Sequence, residues 1–315
     1  MNDKSVEHIF NDGERMVPFL SHNDDELVRH YGSHNFFRKV ITEDFERLKV
    51  KDVTILDVGF GTGYACYLYS KLQNVSKVFG VEISKISYDW AIENFNNKKI
   101  DYTLGDAIKY LAKKDKYDYI VTRHVLEHIE DGLNIIKENK YSKRLCISVP
   151  YNEGEGNEFH ILKGIQEGSF PQYKNVEFFY EDLEGHTYDK IPKGIFINSI
   201  TFVASKDNLP KVRDYFKFPF KAPNIEDIFT DLTESNPILT RRIVSIQSQR
   251  LENLNTERQS LETENTELRD QDVKLKQEIL KLKSELSAIY GSKKWQYSKK
   301  IADLKDTITR NGKVD

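Results

Sequence analysis

The sequence predicts an α/β protein: a mostly parallel sheet with an antiparallel edge strand, followed by a long α-helical coiled coil. Three observations predict it. Five β-type apolar runs recur between residues 53 and 150, spaced widely enough for helical crossovers. Two further runs stand too close together for such a crossover. Beyond residue 250 the apolar period changes to seven.

The five runs are "VTILDVG" (53–59), "KVFGVEI" (77–83), "IDYTLGD" (100–106), "YDYIVTRH" (117–124) and "RLCISVP" (144–150), with amphipathic, helix-like segments between them. The first run leads into glycines at 59, 61 and 63, and a helix is expected from near Thr62. "NVEFFYEDLE" (175–184) and "GIFINSITFVAS" (194–205) are separated by a short stretch containing Gly185 and Pro192, so an antiparallel closing pair is expected. After Lys206 come Pro210, Pro219, Pro223 and Pro237, which read as an extended connector, with "FKFPF" packing back on the domain.

From Leu251 onward, Leu254, Leu261, Leu268, Leu275, Leu282 and Ile289 recur at heptad spacing. The other core position is filled by Leu251, Arg258, Asn265, Asp272, Ile279 and Leu286. A sustained heptad with polar residues at some core positions indicates a coiled coil and an oligomer. The alternative is one amphipathic helix lying on a globular core. The last segment is basic and carries Tyr297, Ile301, Leu304 and Ile308 at helical spacing, with Trp295 at its start, which suits a membrane interface or a protein groove. The expected organisation is therefore an α/β domain with N-terminal lid helices over 1–206, a Pro-containing connector over 207–237, a coiled coil over 238–290 and a basic amphipathic tail over 291–315.

Composition narrows the function. Lysine plus arginine number 47 against 50 aspartates and glutamates, so the charge gives no reason to expect nucleic-acid binding. The two cysteines, Cys66 and Cys146, lie in apolar stretches and suit buried thiols in a reducing compartment. The N-terminal stretch has no apolar core for a signal peptide, and no run reaches the ~20 apolar residues of a membrane span. The expected location is cytoplasmic, with peripheral attachment at the inner face of the membrane as an extension of that reading.

The glycine turn points to a nucleotide-like ligand over a strand-to-helix junction. Its third small position in the dinucleotide fingerprint is Tyr64, which disfavours NAD. Asp57, Glu82 and Asp106 fall at the ends of three successive strands, where ligands of open α/β sheets lie. A carboxylate at Glu82 suits the two hydroxyls of a ribose.

"LDVGFGTGY", "GVEIS", "LGDA" and "HVLEHIED" resemble, in order and spacing, the class I S-adenosylmethionine-dependent methyltransferases, over about residues 13–205. The resemblance implies a Rossmann-like fold and S-adenosylmethionine as cofactor. It assigns Asp57, Gly59, Gly61 and Gly63 to the methionine and ribose region, Glu82 to the ribose, and Asp106 with Ala107 to the adenine. "GERMVPF" (13–19), "RHYGSHNFFRKV" (29–40) and "VPYNEGEGNEFH" (149–160) resemble methyltransferases of bacterial surface-polysaccharide clusters, from which the sequence departs at Phe60. That narrower resemblance implies O-methylation of a sugar, on a glycan, nucleotide-sugar or lipid-linked saccharide. The heptads imply a homo-oligomer through 251–289, and the basic amphipathic tail over 291–315 is expected to dock to a glycosyltransferase or a membrane surface.

Methyl transfer from a sulfonium depends on positioning, and a sugar hydroxyl benefits from a base near neutral pKa. His124, His128 and His160 are the catalytic candidates, and His186 reads as structural. No metal is assigned, although Glu127, Asp131 and a histidine offer an alternative grip on a sugar diol. Arg15, Tyr31, Phe36 and Phe37 form either a lid over substrate or a cover for the core. The alternatives to the sugar reading are a methyltransferase of lipid- or quinone-like small molecules and a scaffold with a mainly structural methyltransferase-like domain.

Overall fold

The computed structural model describes all residues except 1–5, 7, 10, 13, 14, 21–23, 114 and 312–315, and the side chains of 307–311 also lie outside the description. Gly13 and Glu14 of the "GERMVPF" stretch, and the side chain of Ile308, are therefore outside the described residues. The chain forms two compact units, Met1–Ser248 and Gln249–Asp315.

The first unit is built on an eight-stranded sheet. Its strands are β1 (Val53–Val58), β2 (Val75–Glu82), β3 (Ile100–Leu104), β4 (Tyr117–Arg123), β5 (Tyr141–Pro150), β6 (Val176–Asp182), β7 (Thr187–Tyr188) and β8 (Ile197–Ser205). They lie in the order β3-β2-β1-β4-β5-β8-β6-β7. Pairs among β1 to β5 are parallel. β8 runs antiparallel between β5 and β6, which confirms the expected closing pair. The order reverses between β1 and β4, so the carboxyl ends of these strands frame the crevice where ligands of such sheets bind.

Helices cover the sheet: α1 (Asp24–Leu48), α2 (Tyr64–Ser70), α3 (Lys85–Asn94) and α4 (Ala107–Leu111). Gly63, at φ 88°, caps α2, while Ser84 and Asp106 cap α3 and α4 through their side chains. Between β4 and β5 the structure departs from the expected α-helical crossover. Three 3₁₀ turns, Leu126–His128, Gly132–Asn134 and Glu138–Lys140, connect the strands instead. A Cβ at Gly132 would sit 2.0 Å from the Leu126 carbonyl oxygen, and Asp131 is left-handed at φ 55°. The apolar Leu126, Ile129, Leu133 and Ile136 read as one helical stripe, but the backbone folds too tightly there to continue as one.

Past Lys206 the chain packs on the sheet rather than extending. Buried Arg144 of β5 makes a two-pronged ion pair with Asp44 of α1, both contacts at 2.8 Å, and also donates to Pro210 O and Tyr215 Oη. Glu177 accepts the backbone N–H groups of Val212 and Arg213. Phe216, Phe218 and Phe220 pack against the core. Two helices follow, α5 (Ile225–Thr233), capped by Asn224, and α6 (Pro237–Gly291). The first turns of α6 bury Leu239, Ile243 and Ile246, which brings the first unit to Ser248.

The second unit holds the rest of α6 and α7 (Lys293–Asn311). The expected heptad positions are helical throughout. Their leucines are exposed, from Leu254 at 61% to Leu286 at 50%, and form an apolar stripe on a polar helix.

Candidate functional site

Two cavities adjoin at the carboxyl ends of β1, β2, β4 and β5. The smaller, of about 380 Å³, lies over the glycine turn. Five of the seven expected cofactor residues line it: Gly59, Gly61, Glu82, Asp106 and Ala107. The turn exists because Gly59 and Gly61 adopt φ 72° and 56°, conformations that side chains disfavour. A Cβ at Gly61 would meet nothing within 4 Å, so this glycine faces open cavity. At Gly59 a Cβ would strike Val125, and at Gly63 it would strike Ala91 and Tyr102. Gly63 therefore serves close packing of α2 against α3 and lies outside the cavity lining. Phe60 lines the cavity but is largely buried, its ring 4.7 Å from that of Tyr102.

Asp57 also lies behind the lining. It is 1% exposed and accepts a hydrogen bond from the Cys66 thiol at 3.4 Å. Burial pushes its carboxyl up to about 7, the thiol bond opposing and the Glu82 charge adding to the rise. Glu82 is 4% exposed, and its carboxylate accepts the N–H groups of Gly61 and Ser84, both at 2.9 Å. Arg15 caps the same carboxylate through Nε at 3.1 Å and Nη2 at 2.9 Å. Of the four expected lid residues, Arg15 alone reaches this cavity. Tyr31, Phe36 and Phe37 are fully buried and cover the core.

The larger cavity, of about 650 Å³, opens beside β5 and β8. Asn152, Asn157, Asn198 and Glu153 offer it polar groups, with Glu26 and Arg29 of α1 opposite and Phe196 on the rim. His30, His124 and His128 line both cavities and so stand where the two meet. His160 lines the larger one alone.

His124 ends β4 in a left-handed conformation, φ 51°, a strain of about 1 kcal/mol that its surroundings impose. Its Nε2 lies 2.9 Å from Ser199 Oγ, and its Nδ1 3.8 Å from Glu127. Burial, then the Arg123 charge, holds its pKa well below the usual imidazole value. The ring is therefore neutral and a weaker base than an ordinary imidazole.

His30 is a site residue that sequence reasoning missed. Arg123 donates to its Nδ1 at 2.9 Å, so His30 is neutral and carries its proton on Nε2. Arg123 also donates to Ser33, whose hydroxyl donates to buried Glu181 at 2.6 Å. This chain of partners sets the orientation of His30. Ile83 and Ile108, 66% and 48% exposed, were also missed, and both line the smaller cavity.

His186 accepts from Ala222 N in the Gly185 turn and is structural, as expected. Asp131 accepts from Asn134 within its own turn and stands outside the Glu127, His128 and His160 group.

Residues 28–140 match the family model of a methyltransferase domain. Among solved structures, the chain is similar to the methyltransferase domain of bacterial CtHen1, at 15% identity and a TM-score of 0.38, covering 55% of this chain and 100% of that one. It is also similar to a chain in the complex between the Haloferax volcanii Trm112 methyltransferase activator and a methyltransferase, at 14% and 0.38, covering 50% and 82%. A third likeness is to an S-adenosylmethionine-dependent methyltransferase from Mesorhizobium loti, at 20% and 0.30, covering 35% and 54%. Residues 28–140, about a third of the chain, are thus similar to a methyltransferase domain.

The residues present fit S-adenosylmethionine, the cofactor that the resemblance implies. Gly61 leaves a cradle that a Cβ would fill, and a buried carboxylate at Glu82 suits a ribose diol. The exposed apolar pair Ile83 and Ile108 suits the faces of an adenine ring.

Proposed function

We propose that this methyltransferase O-methylates a sugar of a bacterial surface glycan. The observation that carries the reading is the lining of the larger cavity. Three asparagines and charged side chains suit a cluster of hydroxyls, while Phe196 and Tyr151 suit the C–H face of a sugar ring. Ile191, Ile195 and Ile197 also line this cavity, and a lipid- or quinone-like acceptor packed on them would leave the asparagines without hydrogen-bond partners. A scaffold role would leave the Gly61 and Glu82 cradle without purpose.

Bound in the smaller cavity, S-adenosylmethionine would supply an electrophilic methyl for in-line displacement by an acceptor oxygen. The chain's own residues do the rest. Glu82, Asp106 and Ala107 would hold the nucleoside, and Gly61 would give it room. His30 offers an N–H donor to an acceptor oxygen, and neutral His124 lines the meeting point of the two cavities without adding a positive charge beside the sulfonium. The rings of His30, His124 and His128 keep bulk water out of the junction.

The exposed stripe of α6 supports a homo-oligomeric coiled coil, parallel and in register. That pairing brings Glu264 of one copy to Arg269 of the next, and Glu278 to Lys283. The basic α7, with Trp295 packed on Tyr290 at 5.0 Å and Tyr297, Ile301 and Leu304 exposed, would dock to a membrane surface or a glycosyltransferase. Among the described residues no helix is long and apolar enough to cross a membrane.

The test is transfer of labelled methyl from S-adenosylmethionine to saccharide acceptors, followed by hydrolysis and mass analysis of the sugars. A methyl ether on a sugar hydroxyl is expected. Label confined to lipid or quinone acceptors would overturn the reading.

A further inference from the structure

We propose that Glu127, His128 and His160 bind a divalent first-row transition cation at the wall of the larger cavity, where it grips oxygen atoms of the acceptor. The identity of those oxygens as sugar hydroxyls rests on the function proposed above; the cation site itself does not.

One ligand atom from each of the three side chains lies within 4.8 Å of the others. Glu127 is fully buried, His160 is 8% exposed, and the two imidazole rings stand edge to face at 4.7 Å. The residues come from two loops, one after β4 and one after β5. Backbone hydrogen bonds tie these loops together. The N–H groups of Ile161 and Leu162 both donate to Glu127 O at 2.9 Å. His128 Nδ1 donates to Phe159 O, also at 2.9 Å. The juxtaposition is thus built into the backbone and does not depend on flexible side chains.

The partners also set the tautomers. A carbonyl oxygen only accepts, so His128 carries its proton on Nδ1 and its lone pair on Nε2. Glu153 does the same for His160, accepting from Nδ1. The remaining nitrogen of His160 accepts from Asn157 Nδ2 at 3.3 Å, a long contact that a cation would replace. Anchoring one ring nitrogen on a carbonyl or carboxylate is how metal-binding histidines are oriented.

Two imidazoles and one carboxylate suit manganese, iron, cobalt or zinc better than magnesium or calcium, which prefer all-oxygen shells. Donors ~2.1 Å from one tetrahedral ion stand ~3.4 Å apart, so binding would draw the three groups in by about an ångström. Three protein ligands leave coordination positions open. Because His128 and His160 line the larger cavity, those positions face the acceptor.

The test is titration of the chelator-treated full-length protein with Co²⁺, read by visible absorption and calorimetry. One saturable site per chain is expected. His160→Ala should weaken it at least 100-fold, and Glu153→Gln, which disturbs only the orientation of His160, by ~10–100-fold. Glu127→Gln alters a buried group and is read only if circular dichroism shows the wild-type fold; His160→Ala carries the test otherwise. Absence of saturable binding by the wild type, or wild-type affinity in His160→Ala, would overturn the proposal. Intact cobalt binding without methylation of any saccharide would count against the sugar reading alone.

Discussion

Replacing Gly61 and Gly63 separately by alanine should split one motif into two functions. At Gly61 the backbone is left-handed, so alanine costs about 1–2 kcal/mol of backbone strain. Its methyl group meets no protein atom within 4 Å and projects into the smaller cavity. In a unit of this size that strain lowers Tm by only ~2–8 °C. A ligand held against this backbone must retreat, and affinity for S-adenosylhomocysteine should fall at least ~10-fold, or about 1.4 kcal/mol. At Gly63 the same methyl would stand 2.6 Å from Ala91 Cβ and 2.8 Å from Tyr102 Oη. α3 would have to move, adding an overpacking cost of about 1–3 kcal/mol to a similar backbone strain. Gly63→Ala should therefore lose more Tm, while the molecules that remain folded keep more of their affinity. Calorimetric titration and thermal unfolding of both variants provide the comparison. Unchanged affinity in Gly61→Ala would refute the placement of the ligand over this turn.

Three further outcomes follow from the same structure. Asp44→Ala leaves the buried Arg144 guanidinium without its carboxylate, and urea unfolding should show a loss of about 3–5 kcal/mol. Asp57 has its carboxyl raised from 3.8 to about 7, so its protonated form is favoured in the folded state. That contribution is fully present below pH 3.8 and is lost as pH rises to about 7. Relative to Asp57→Asn, the wild type should thus lose up to about 4 kcal/mol across that window, and a difference independent of pH would contradict the burial argument. For the helix, light scattering should report an oligomer through α6, with spin labels at Ser260 close together in the parallel arrangement; a monomer, or widely separated labels, would rule that arrangement out.

Much of the sheet is legible in the sequence because buried strands are locally written: apolar runs bounded by turn residues, with β6 and β8 too near one another for a crossover. The β4–β5 connection is not, since its apolar spacing is helical and only the close approach of Gly132 to Leu126 forbids a helix. The segment after Lys206 misleads for a different reason. Its prolines signal extension locally, while Asp44 and Arg144, a hundred residues apart, draw it onto the sheet. The glycine motif marks the ligand turn but does not say which glycine faces ligand and which faces protein. His30 is invisible because its role arises only when Arg123, ninety-three residues later, donates to it. The positions of Glu82 and His124 are legible because each sits at a strand end, where the topology gathers ligands, whereas His128 and His160 lie five and ten residues beyond β4 and β5.

The central claim is that donor and acceptor occupy adjacent cavities that meet at His30, His124 and His128. A crystal structure of the protein with S-adenosylhomocysteine tests it most directly. The account predicts the ribose hydroxyls on Glu82, the adenine beside Asp106 and Ala107, and the sulfur facing those three histidines. Nucleoside density in the larger cavity, among Asn152, Asn157 and Asn198, would contradict it.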